Sequence, residues 1–132
     1  MAIIAIDHVQ LAMPAGGETV AIEFYEGLLG IANVPKPARL AVRGGCWFEN
    51  ASLKLHLGVE ADFRPARKAH PALVVDDLDD LVRCLESAGH VVRDEGAIDG
   101  PEQRYVDDPF GNRLELLAAV PRLTVGGSVG EP

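Results

Sequence analysis

Ile6-Asp7-His8-Val9-Gln10-Leu11-Ala12-Met13 returns in altered form as Lys68-Ala69-His70-Pro71-Ala72-Leu73-Val74-Val75, with a histidine at the same point of each stretch. Both read as strands: short, rich in aliphatic residues, and followed by turn formers or a change of period. Each then gives way to a helical pattern. Val20, Ala21, Phe24, Tyr25 and Leu28 recur at helical spacing in the first half, and Leu78, Leu81, Val82, Leu85 and Ala88 do so in the second. Gly30 and Gly89 stand where those helices should stop. At the far end of each half, Leu53-Lys54-Leu55-His56-Leu57-Gly58 resembles Leu114-Glu115-Leu116-Leu117-Ala118-Ala119, and between helix and last strand each half holds two further short strand candidates, around 39–49 and around 90–106. Each half thus predicts strand, helix and three strands.

A unit of this kind has too little core to stand alone, so two copies must pack together, within a chain or between chains. The prediction is an α+β fold of two βαβββ modules, about residues 3–60 and 68–118, joined around Asp62-Phe63-Arg64-Pro65 and forming one domain over 1–120. A length of 132 residues suits one domain, and 48% hydrophobic with 24% charged residues is an ordinary globular balance. The Gly126-Gly127-Ser128 stretch makes 121–132 a tail expected to be mobile and without chemistry.

A net charge of −8, without any Lys/Arg run, excludes nucleic acid as a partner. Cys46 and Cys84 have neither a framework nor metal-knuckle spacing, so a reducing cytoplasm is expected, with Cys46 a small buried hydrophobe. The N-terminus lacks a basic region and meets Asp7 and His8 too soon for a signal peptide, and no apolar run is long enough to span a bilayer.

Strand alternation places Ile6, His8, Gln10 and Ala12 on one face, His70, Ala72 and Val74 on its counterpart, and Lys54, His56 and Glu115 on matching faces of the terminal strands. Two imidazoles and a carboxylate from different strands can hold a divalent metal and leave positions open for substrate. His8, His70 and Glu115 are that candidate set; His56, two residues beyond the position matched to Glu115, is a ligand or acid/base candidate. His90 follows Gly89 and reads as a capping or solvent residue, and Asp76-Asp77-Leu78-Asp79-Asp80 reads as a helix start rather than a cation site. Gln10, Trp47, Lys54 and Arg104 are candidates for the substrate pocket. Tyr105 joins His56 as a candidate for proton transfer.

With Asp107-Asp108-Pro109-Phe110-Gly111-Asn112-Arg113-Leu114-Glu115 added to the two histidine strands, the sequence resembles the vicinal oxygen chelate superfamily over about residues 3–118. That group includes glyoxalase I, fosfomycin resistance thiol transferases, bleomycin-binding proteins, methylmalonyl-CoA epimerase and extradiol dioxygenases. The resemblance implies paired modules forming a U-shaped mixed sheet around a cavity, usually in a homodimer. It also implies that His8, His70 and Glu115 match the ligands of the metal-dependent members. Gln10 stands where the fosfomycin transferases carry a threonine, and glyoxalase I carries a carboxylate near Lys54 or His56 that is absent here, so the resemblance names the superfamily and not the branch.

Two functional expectations follow. The first is an enzyme holding Mn²⁺, Fe²⁺, Ni²⁺ or Zn²⁺ and acting on a small molecule that chelates the metal through vicinal oxygens, by lyase, glutathione or thiol transferase, or dioxygenase chemistry. The alternative is a metal-free, bleomycin-type drug-binding resistance protein, which the acidic charge would suit. A purely structural dimeric module would leave the matched polar residues unexplained.

Overall fold

The computed structural model of the chain describes residues 1–96 and 99–119, so the tail expected over 121–132 lies outside the described residues. The first module comprises β1 (Val9–Met13), α1 (Glu18–Ile22) running into a π-helical segment (Glu23–Leu28), β2 (Asn33–Val34), α2 (Ala38–Ala41), β3 (Cys46–Asn50) and β4 (Leu53–Val59). The second comprises β5 (Ala72–Val75), α3 (Leu78–Ser87), β6 (Val92–Arg93), β7 (Gln103–Asp107) and β8 (Arg113–Ala118). Their sheets have the same plan, in the orders β1-β4-β3-β2 and β5-β8-β7-β6. In each, the strand before the helix pairs in parallel with the last strand, and the remaining pairs are antiparallel. The duplicated βαβββ architecture and the α+β class read from the sequence are the ones observed.

Alternation decides which face of each sheet is covered. Leu11, Met13, Phe48, Leu55 and Leu57 from the first sheet and Val106, Leu114 and Leu116 from the second turn inward. They meet Phe24, Tyr25 and Leu85 from the helices in one core shared by both modules. The π-helical winding matters to this packing. Leu29 N–H reaches the Phe24 carbonyl at 2.9 Å, a bond spanning five residues, and the neighbouring Phe24 and Tyr25 are both buried. α3 begins as the acidic run suggested: Asp77 accepts from the Asp80 N–H at 3.1 Å, and Asp79 and Asp80 occupy the first turn.

Two boundaries differ from the sequence reading. Of the two strands expected around 39–49, β2 lies earlier and β3 begins only at Cys46, because Pro37 starts a short helix whose Leu40 and Ala41 N–H groups bond to the Pro37 carbonyl. Gly45 then turns the chain at φ 88°, where a Cβ would stand 2.3 Å from the Leu57 carbonyl oxygen. The region around 90–106 holds the two short strands expected there, β6 and β7. β1 starts at Val9 and β5 at Ala72, so His8 and His70 each stand just before the strand that was expected to contain them.

The modules are tied by the turn between β7 and β8. The Tyr25 hydroxyl donates to Asp108 Oδ2 at 2.7 Å, the Asn112 side-chain amide donates to the Ala12 carbonyl at 2.9 Å, and the Ala66 N–H donates to Asn112 Oδ1 at 3.0 Å. Asp108 Oδ1 meanwhile accepts the Phe110 and Asn112 N–H groups at 2.9 and 2.8 Å. Asp108 and Asn112 are 4% and 1% exposed, so both side chains bond in the interior, and three of these bonds end on the buried Asp108 carboxylate.

Burial, and then the facing Asp108 carboxylate, push the Tyr25 phenol well above its ordinary 10.0. A Tyr25→Phe variant should lose about 1.5–3 kcal/mol, the usual worth of a hydrogen bond to a charged group, in urea unfolding at neutral pH. Above pH 10 the unfolded chain releases this proton while the folded chain keeps it, so the native protein loses stability as pH rises. The difference between wild type and Tyr25→Phe should therefore shrink in unfolding curves taken between pH 9 and about pH 11.

Candidate functional site

On the second sheet, the face away from the core carries Glu115 from β8, Gln103 and Tyr105 from β7, and Ala72 and Val74 from β5. Register sets their rows: Ala72 pairs with Glu115, which pairs with Tyr105. The Glu115 N–H also bonds the Pro71 carbonyl at 3.0 Å, which brings His70 alongside. His70 Nε2 lies 2.9 Å from Glu115 Oε1, and His70 Nδ1 lies 2.9 Å from the Lys68 carbonyl oxygen. A carbonyl only accepts, so Nδ1 carries the hydrogen, and the Nε2 lone pair of the neutral ring faces a carboxylate oxygen. Two acceptors so placed attract only through a positive charge between them, a proton or a metal ion. The donor set, an imidazole nitrogen and a carboxylate, fits a divalent transition metal.

Gln103, which the sequence reading passed over, donates its side-chain amide to Glu115 Oε2 at 2.5 Å and so fixes the carboxylate from its other oxygen. Its sequence cue was its parity with Tyr105 on the same strand. Tyr105 meets the His70 ring edge-on at 5.8 Å between centroids, and the Arg113 guanidinium sits 4.2 Å from the Tyr105 ring centre. Arg104 is not part of this face. It has the opposite parity on β7, where it pairs with Leu116, and its guanidinium reaches Glu102 at 3.3 Å and Asp94 at 3.6 Å.

The first sheet carries the remaining candidates on its corresponding face. Gln10, His56 and Trp47 form one row across β1, β4 and β3. His56 is 4% exposed, stacked on Trp47 at 4.1 Å on one side and on His8 at 4.5 Å on the other, with Nε2 2.8 Å from Glu49 Oε2. His8 Nδ1 lies 2.9 Å from Asp7 Oδ2, and the exposed Lys54 ammonium is 3.7 Å from Asp7 Oδ1. The His8 hydrogen bond, then the Lys54 charge, hold the Asp7 carboxyl below its ordinary value. The Gln10 amide lies across Gly58.

Register also corrects the equivalence assumed from sequence. Gln10 pairs with His56 as Ala72 pairs with Glu115, so His56 itself, and not Lys54, is the counterpart of Glu115. His8 and His56 on one sheet therefore mirror His70 and Glu115 on the other. Among the described residues no three His, Cys, Asp or Glu side chains of one chain converge on a metal position. The expected trio is divided, with His70 and Glu115 together and His8 on the other sheet.

Comparison of whole structures identifies the fold's relatives. A glyoxalase family protein from Bacillus anthracis superposes with a TM-score of 0.84 at 43% identity, over 89% of this chain and 97% of its own. This chain belongs to the glyoxalase family, within the vicinal oxygen chelate superfamily. The glyoxalase fold is shared at lower identity by FosX, a fosfomycin resistance protein from Listeria monocytogenes, seen as a point mutant complexed with Mn(II) and 1S,2S-dihydroxypropylphosphonic acid. That structure matches with a TM-score of 0.75 at 13% identity, covering 94% of this chain and 98% of FosX. TnmS3, an antibiotic binding protein from Streptomyces sp. CB03234, matches with a TM-score of 0.66 at 24% identity, covering 87% and 98%. No family profile and no curated protein matches the sequence.

If Gln103 orients Glu115 as a ligand, Gln103→Leu should weaken binding of Mn(II) by about 10- to 100-fold, the range typical for loss of a ligand's supporting partner. Calorimetric titration of metal-stripped protein reads this directly.

Proposed function

We propose that this glyoxalase family member is a metal-dependent enzyme that works as a homodimer, with His70 and Glu115 of one subunit and His8 of a second copy as the ligands. The observation that carries the reading is His70 Nε2 facing Glu115 Oε1 at 2.9 Å while Nδ1 is committed to the Lys68 carbonyl. Asp7 can orient His8 in the same way, by accepting from Nδ1 and leaving Nε2 free. Mn²⁺, Fe²⁺, Ni²⁺ and Zn²⁺ all suit an imidazole and carboxylate set. Bound there, the metal would supply Lewis-acid polarisation of two vicinal substrate oxygens.

Two features support a second copy. β1 and β5 are outer strands of their sheets, each with one edge unpaired among the described residues. Ile3, Ile4 and Ile6 before β1 are 96%, 94% and 79% exposed, and Val74 on β5 is 71% exposed. Joining β1 of one copy beside β5 of another would cover these side chains and set the two polar faces around one cavity.

Within that cavity the chain's own residues divide the work. Gln103 and the Lys68 carbonyl hold the two ligands of the second sheet in place. Tyr105, beside His70, is assigned to proton transfer at the substrate. His56, closed between Trp47 and His8, holds the His8 ring by stacking. Lyase, thiol-transferase and dioxygenase chemistry all begin from such a chelate. Cys46 and Cys84 are free thiols, and no helix among the described residues is long and apolar enough to cross a membrane, which is compatible with a reducing cytoplasm.

Protein purified without chelator should carry near one transition-metal equivalent per chain, lost in His70→Ala and Glu115→Ala. Mixing subunits tests the division of the site. His8→Ala and Glu115→Ala each bind no metal alone, but after mixed refolding about a quarter of the wild-type sites should return, because half the dimers then hold one intact site of two. No recovery would place all ligands in one chain. Absence of metal, even on reloading, would favour the metal-free drug-binding reading.

A further inference from the structure

On the same face of the first sheet, beyond Gln10 and away from His8, lies a cavity of about 250 Å³ lined by Gln10, Lys36, Arg43, Gly44, Trp47 and Gly58 among others. Neither Lys36 nor Arg43 has a carboxylate within ion-pair distance among the described residues. Glu18, the acidic side chain against Gly44, accepts the Gly45 N–H at 2.8 Å and makes no ion pair with either cation. Lys36 is half-buried and gives one hydrogen to the Gly44 carbonyl, which leaves two further N–H donors. In a chain of net charge −8, two cations at one cavity with no carboxylate within ion-pair distance among the described residues are a local concentration of positive charge.

The cavity is bounded on its other side by the Trp47 ring, whose far neighbour is His56. An aromatic wall with converging donors is the ordinary composition of a small-molecule site. Gly58 keeps the floor low: a Cβ there would stand 2.6 Å from Gln10 Nε2 and push the amide into the cavity.

We propose that Lys36 and Arg43 bind an oxyanion, a carboxylate or phosphonate-type group, with Gln10 and Trp47 against the rest of the ligand. Resting on the proposed metal site, which His8 places on the same face, this makes the substrate a small anion whose charged end lies at Lys36 and Arg43 and whose vicinal oxygens lie toward His8. The arrangement disfavours a cationic ligand, whatever the overall charge.

Trp47 is the chain's single tryptophan, so its fluorescence reports on this cavity. Metal-stripped protein is titrated with methylphosphonate, with acetate, and with dimethyl sulfone as a neutral control of similar size. Saturable quenching by an oxyanion and none by the sulfone is expected, with affinity about tenfold lower in Arg43→Gln and lower again in the Lys36→Met/Arg43→Gln pair, as loss of charge-assisted bonds implies. The exposed Arg43→Gln variant keeps the test valid if the half-buried Lys36 is needed for folding. The better of the two anions identifies the group. Equal affinity in wild type and Arg43→Gln, or no saturation by either anion, would overturn the proposal. His70→Ala is included to separate the two readings: anion binding that persists there supports the oxyanion site even if metal binding fails.

Discussion

The buried bonds of Asp108 and Asn112 are the constraint on which the positions of the other parts depend. Asn112 holds the end of β1 through Ala12 and the linker through Ala66, and Asp108 holds the first helix through Tyr25. The same turn leads directly into β8 and therefore fixes where Glu115 falls. Gly111 permits the turn at φ 95°, with a Cβ otherwise 3.2 Å from Pro65. A polar knot of this kind is stable in an apolar interior only because its members satisfy one another, and loss of any one leaves a buried acceptor or donor without a partner.

From that anchor, parallel pairing produces chemistry. β5 running beside β8 puts His70 against Glu115, and β1 running beside β4 puts His8 against His56. The two pairs occupy equivalent places, yet their chemistry differs. His70 and Glu115 present facing acceptors, whereas His56 is enclosed between two rings and bonded to Glu49. The asymmetry leaves the facing acceptors on the second sheet, and His8, an aromatic wall and a cavity with two cations on the first.

Much of this was legible in the residues. The histidine repeat, the helical spacing from Val20 to Leu28 and from Leu78 to Ala88, and the stop at Gly89 give the modules, because periodicity is a local property of buried faces. Asp77 as a cap followed from the same local logic. The strand boundaries were less legible: nothing in Ala38-Arg39-Leu40-Ala41 forbids a strand, and only the bonds to the Pro37 carbonyl show the helix. The equivalence of His56 with Glu115 is hidden in the sequence because the apolar runs around Lys54 and Glu115 look alike, whereas the register of the parallel pairs is set by which faces the packing buries.

The sequence by itself determined the duplicated βαβββ plan, the shared core and the polar identity of one face of each sheet, since alternation and helical period are written in consecutive residues. Only the tertiary structure decided that His70 and Glu115 meet, that Gln103 holds the carboxylate, that Arg104 faces the other way, that His8 stands apart from its fellow candidates, and that Lys36 and Arg43 share a cavity with Trp47. Those facts depend on which strand lies beside which and in what register, and pairing between distant segments is set by the packing of the whole chain.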